Sequence, residues 1–166
     1  MRGETQCRIK GWVRFRKVMA LILLICLCGG CEDPPNPKHV GIIPQGPHGA
    51  TIQFLRCRGE YVKLVRLDVV RSDDPHKDKT IWEVAAKRQS KATYFPIGTS
   101  PAGFTETVHL SARIPNTYLA AYVETNMRMV GAIVFRLFDL RRGRVWVDVG
   151  LKTIGDFRKD ASGDCR

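Results

Sequence analysis

The chain has 166 residues, 44% of them hydrophobic and 26% charged, with 27 Lys and Arg against 16 Asp and Glu for a formal net charge of +11. That balance belongs to a globular chain and excludes a disordered or collagen-like one. The length holds one domain of ordinary size and not two.

The first element is an address. Residues 1–17 carry Arg2, Arg8, Lys10, Arg14, Arg16 and Lys17 against a single acid, Glu4. Residues 18–28 have no charge, Gly29-Gly30-Cys31 follows, and residues 32–37 turn polar and proline-rich. A basic head, a short apolar core and small residues before a break are the parts of an export signal. The apolar run is shorter than the roughly 20 residues a helix needs to cross a bilayer. The basic flank stays on the cytoplasmic side, so the remainder is expected outside the cytoplasm.

Cys28-Gly29-Gly30-Cys31 resembles the lipobox of bacterial lipoproteins. Cys28 stands where Leu, Val or Ile is usual, and Leu27 lies one place earlier. The resemblance implies that residues 1–30 are a cleaved signal peptide and that Cys31 is diacylglyceryl-modified and becomes the new N-terminus. Two acyl chains anchor stably, at about 0.8 kcal/mol per buried methylene. The other reading is an ordinary secretory signal cut near Gly30, which leaves Cys31 as a thiol. Residues 31–38 then read as a tether, because Pro34, Pro35 and Pro37 keep the backbone extended.

Removing residues 1–30 takes away six basic residues and one acid, leaving 21 against 15, or +6, over 136 residues. Nearly half of the excess charge belongs to the signal, so the basic balance does not imply nucleic-acid binding. The remaining +6 favours an anionic bilayer or envelope polymer. Of six cysteines, Cys31, Cys57 and Cys165 stay in the mature chain. With lipid on Cys31, Cys57 and Cys165 are left to pair in an oxidising compartment. Without a C-x-x-C pair, no structural zinc site or thioredoxin-like chemistry is expected.

From residue 39 onward strand signals dominate. Residues 39–43, 51–57, 61–70, 80–86, 92–97, 104–112, 117–125, 129–140 and 144–149 read as strands, with a single helical turn over 83–89 as the strongest helix signal. Arg58-Gly59 turns the chain, residues 72–78 form a polar loop, and Arg141-Arg142-Gly143 signals a hairpin, since Gly takes φ > 0. Eight or nine strands at spacings of about 8–12 residues predict an all-β domain over 39–166. The expected form is an antiparallel β-sandwich of about 7–9 strands, immunoglobulin- or fibronectin-like, with a small β-barrel as the alternative. The Cys57–Trp82–Cys165 spacing departs from the immunoglobulin pattern. Ile81-Trp82-Glu83-Val84, followed by Pro96-Ile97-Gly98-Thr99-Ser100-Pro101-Ala102-Gly103-Phe104, resembles a segment of small uncharacterised actinobacterial lipoproteins and implies no activity.

No catalytic, metal or cofactor constellation stands out. Gly98–Gly103 misses the Gly-x-Ser-x-Gly spacing of a nucleophile elbow and reads as a β-turn. Asp73, Asp74, His76 and Asp78 lack calcium-loop spacing and are neutralised by Lys77 and Lys79. His39, His48, His76 and His109 have no metal-ligand spacing. His109 near Glu106 reads as an edge histidine, and Trp82, Tyr94, Phe95 and Phe104 as core. Arg136, Arg141, Arg142 and Arg144, with Trp146, form the candidate binding patch, because Arg offers bidentate hydrogen bonds and stacks on aromatic rings. The expected function is therefore non-catalytic. It is a lipid-anchored envelope protein that binds or builds at the membrane surface, its partners the membrane itself and an anionic polymer or a protein. An envelope inhibitor or exclusion factor is the alternative, and a hydrolase accessory subunit a third.

Overall fold

The computed structural model describes residues 39–46, 49–71, 77–163 and 165. The signal segment, Cys31, the tether, His48, Asp73, Asp74 and His76 lie outside them. The strands are β1 (Val40–Gln45), β2 (Gly49–Phe54), β3 (Val62–Val69), β4 (Lys79–Ser90), β5 (Tyr94–Pro96), β6 (Phe104–Val108), β7 (Leu119–Thr125), β8 (Met129–Phe135), β9 (Val145–Val147) and β10 (Gly150–Lys152). A helix, α1 (Ile154–Gly163), closes the chain. Among the described residues, no helix is long and apolar enough to cross a membrane.

The strands form two five-stranded sheets, ordered β10-β9-β1-β2-β5 and β6-β4-β3-β7-β8. Every pairing is antiparallel. The sheets pack face to face as an all-β sandwich. Neither closes on itself, which sets aside the barrel. The inward faces come from alternation: Ile52 and Phe54 on β2, Val65 and Leu67 on β3, Trp82 and Val84 on β4 are fully buried in one core. Phe95 and Phe104 meet edge to face inside it, centroids 5.2 Å apart.

Four expectations change. Residues 83–89 are strand and not a helical turn, because β4 runs on to Ser90. Its Lys87 N–H bonds Gly103 O (2.9 Å), and Ser90 pairs with Val62. Long-range pairing overrides the helical propensity of that stretch. The turn at Arg141–Arg144 is real, closed by Arg144 N–H to Arg141 O (3.0 Å), with Gly143 at φ +74°. It is not a hairpin, however, since β8 and β9 belong to different sheets and the turn carries the chain between them. Tyr94 is 47% exposed on the outer face, where its hydroxyl accepts a bond from Gln53 Nε2 (2.9 Å). β10 and α1 were not anticipated.

The signal for α1 is Thr153-x-x-Asp156. The Thr153 hydroxyl accepts the Asp156 N–H (3.1 Å) and bonds the Asp156 carboxylate (2.6 Å), satisfying a donor that a helix start leaves orphaned. Only Phe157 and Ala161 of the helix are buried. Phe157 packs with Val145 and Val147 on the outer face of the first sheet, over Gly41. A Cβ on Gly41 would fall inside the Val145 side chain and 3.0 Å from Phe157 Cζ. The helix thus lies on a strand whose third-dimension clearance depends on one missing methyl group.

Candidate functional site

Strand directions sort the side chains to two ends. β1 starts where β2 finishes, with Leu55 N–H bonded to His39 O (2.8 Å). The β2–β3 loop, the β4–β5 loop and the β7–β8 turn meet there as well: Tyr61 and Asn126 exchange bonds of 2.8 and 3.1 Å, and Ser90 pairs with Val62. The Arg136–Arg144 segment follows the far end of β8. Seven strand residues, about 20 Å, separate it from the β7–β8 turn.

At the first end Cys57 and Cys165 form a disulfide across 108 residues, with Cα atoms 5.2 Å apart, as the cysteine count predicts. The bridge fastens Cys165, two residues beyond α1, to the β2–β3 loop. Beside it Glu60 is 1% exposed. Its Oε1 accepts bonds from Arg128 Nε (3.2 Å) and the Thr125 hydroxyl (3.1 Å), and its Oε2 from the Cys57 N–H (2.8 Å). A buried carboxylate is tolerable only when paired and hydrogen-bonded, and here both oxygens are engaged. Gly59, at φ +78°, makes the tight turn that returns Glu60 beneath Cys57, closed by Glu60 N–H to Cys57 O (3.2 Å). Arg56, Arg58 and Lys91 line a groove of about 590 Å³ over this turn, together with Tyr61 and Gln89. Because Arg128 neutralises Glu60, the groove is electropositive.

His39 lies behind the bridge. It is fully buried, and one of its ring nitrogens is within 4.8 Å of both sulfurs. Its Nδ1 is 2.6 Å from Leu55 O, and its Nε2 has no hydrogen-bond partner among the described residues.

The candidate arginine patch lies at the other end and divides. Arg136 grips Asp139 through Nε (2.9 Å) and Nη2 (3.2 Å) and covers the Tyr118 ring at 4.9 Å. That bond from Arg136 holds the Asp139 carboxyl below its ordinary range. Arg141 donates to Phe138 O (2.8 Å) and so braces the turn. Arg142 and Arg144 are exposed and make no ion pair among the described residues. Trp146 is partly buried against the core, and its indole N–H donates to Val134 O (2.9 Å) on β8. It ties the edge of one sheet to the other and is not a stacking platform. Phe138, 67% exposed, and Tyr118, 51% exposed, stand at the same end.

The remaining candidates stay apart. His109 Nδ1 is 2.6 Å from Glu106 Oε2 on an exposed edge. Gly98–Gly103 is a pair of turns, closed by Thr99 to Pro96 O (3.2 Å) and Phe104 to Pro101 O (3.0 Å), and leads into a strand, not a helix. Asp78 accepts the Arg71 N–H (3.1 Å). Sequence reasoning missed Glu60, Arg128 and the basic groove, and left His39 as one of four scattered histidines. Glu60 meets Thr125 and Arg128 across 65 and 68 residues, and no local spacing marks them. Set against protein-family models, curated proteins and solved structures, the chain matches none.

Proposed function

We propose that the chain is an exported, non-catalytic envelope protein, anchored by lipid on Cys31, that works as a binding module at the membrane surface. The observation that carries the reading is the coincidence of two features at one end. The described chain begins at His39 on the same end as the groove of Arg56, Arg58 and Lys91. Seven residues lie between Cys31 and His39, a reach of at most about 28 Å over eight residue steps. A lipid there sets this electropositive end against anionic headgroups, where each Lys or Arg near the surface adds about 1 kcal/mol. The same geometry turns Arg142 and Arg144 outward, toward whatever the module holds.

Two measurements test it. Palmitate labelling of cells should mark the wild type and not Cys31→Ser; equal labelling of both removes the anchor. The mature chain, residues 31–166 with Cys31→Ser, mixed with vesicles containing anionic lipid, should sediment with them at low salt and lose that binding in Arg56→Ser/Arg58→Ser/Lys91→Ser. Undiminished binding of the triple variant would remove the orientation.

Phe138 and Tyr118 favour a second reading, an inhibitor or exclusion factor that blocks another envelope protein. Exposed aromatics beside arginines are the composition of interface hot spots. Co-purification of a stoichiometric protein with the wild type but not with Phe138→Ser would decide for it.

A further inference from the structure

We propose that His39, Cys57 and Cys165 form a redox-gated zinc site: closed while the disulfide stands, and opened when a thiol reductant cleaves it. Three potential ligand atoms, one per residue, already lie within 4.8 Å of one another. Tetrahedral zinc with two thiolates and one imidazole places its ligand atoms roughly 3.5–3.8 Å apart, from bonds of about 2.3 Å to sulfur and 2.0–2.1 Å to nitrogen. The three groups therefore need to move only slightly, once the sulfurs part.

The histidine supplies the second observation. A carbonyl oxygen only accepts, so the 2.6 Å contact with Leu55 O places the proton on Nδ1. The lone pair of the neutral ring is then on Nε2, which is buried and without a partner among the described residues. Such an atom is ordinarily costly to leave unmade. A metal-binding histidine is built this way, with one ring nitrogen held by a backbone carbonyl and the other kept free. Arg128 Nη2, 3.8 Å from Cys57 Sγ, stabilises negative charge on that sulfur once it is released. Two thiolates against one Zn²⁺ make the core neutral, and solvent fills the fourth position.

The steps balance. Two thiols reduce the bridge, giving Cys57–SH, Cys165–SH and one external disulfide. Zn²⁺ then displaces the two thiol protons. In reverse, an external disulfide takes two electrons from the zinc-bound thiolates, re-forming the bridge, releasing Zn²⁺ and, with two protons, yielding two external thiols.

The test uses the full chain with Cys7, Cys26, Cys28 and Cys31 changed to Ser, so that Cys57 and Cys165 carry the only thiols. Zinc is titrated in competition with a chromophoric chelator, with and without a phosphine reductant. The expected result is one zinc per chain in the reduced protein and none in the oxidised one. Co²⁺ in place of zinc should give thiolate-to-cobalt absorption. His39→Gln should weaken zinc binding at least tenfold while leaving the oxidised fold intact by near-ultraviolet circular dichroism. Zinc binding that is absent after reduction, equal in both redox states, or unchanged by His39→Gln would overturn the proposal. Should the reduced metal-free chain unfold, zinc must restore its near-ultraviolet spectrum, and binding without restoration counts against the site. None of these readouts depends on lipidation or on the vesicle experiment.

Discussion

The sandwich buries one carboxylate near each end, and the two are treated differently. Glu60, beside the disulfide, has both oxygens bonded, to Arg128, Thr125 and the Cys57 backbone. Asp68, near the end of β3, is 3% exposed and lies 3.0 Å from Arg66 Nε, while its Oδ1 has no partner among the described residues. Burial pushes the Asp68 carboxyl up, and the pull of Thr80 and Arg66 does not offset it. Burial of Tyr122 and, after it, the Asp68 charge raise the Tyr122 hydroxyl opposite, whose ring carries the Arg66 guanidinium at 4.6 Å. The lesson concerns where the chain is fastened. One end is covalently closed, and both oxygens of its buried carboxylate are bonded. The other relies on single ion pairs and leaves aromatic and basic side chains in water. The proposed module would be held at the fixed end and bind at the open one.

The largest effect should come from the fastening itself. Cys57→Ala/Cys165→Ala opens a link spanning 108 residues and should lower unfolding free energy by about 4–5 kcal/mol on the chain-entropy account, measured by urea titration. A loss under about 1 kcal/mol would mean that the end is held by packing alone. Arg128→Ala strands Glu60 as an unpaired buried charge and should cost about 2–3 kcal/mol. The double variant Arg128→Ala/Glu60→Gln should recover part of that loss, and failure to recover would deny the pairing. Gly41→Ala should cost about 1–3 kcal/mol by pushing Phe157 and α1 off the sheet, visible as faster amide exchange in the helix.

At the open end, Asp68→Asn tests the unsatisfied carboxylate. A carboxyl raised above 3.8 binds its proton more tightly folded than unfolded. Its stabilising share is therefore complete below 3.8 and fades as pH rises through the folded value. The stability of Asp68→Asn relative to wild type should accordingly grow across that rise and then level off; the opposite slope would show that Arg66 dominates. Smallest of all, Arg142→Ser/Arg144→Ser should shift stability by about 0.5 kcal/mol or less, since neither side chain is paired. Any effect of this pair should appear only in partner binding.

Much of the fold was legible because strands announce themselves locally. β3 alternates Val65 and Leu67 with Arg66, β8 is a run of apolar and β-branched residues, and glycines punctuate the turns. The Cys57–Cys165 link was expected from the cysteines left once residues 1–30 and Cys31 are set aside. The site was scarcely legible. Trp146 looked like a ligand platform until Val134 O was seen to take its N–H. Arg136 and Arg141 looked free until Asp139 and Phe138 O engaged them. α1 went unread because only two of its residues are buried, too few to leave a periodic stripe, although Thr153 and Asp156 marked its start.

The amino-acid order by itself determined the all-β class and most of the strands and turns. Those properties depend on neighbours in the chain and on simple counts. The tertiary structure decided that ten strands divide into two sheets, that Glu60 and Arg128 answer each other, and that a histidine with a free nitrogen backs the bridge. Contacts across 60 to 130 residues have no local signature, because a side chain's charge, burial and hydrogen bonds are fixed only when sheet pairing brings its distant partner alongside.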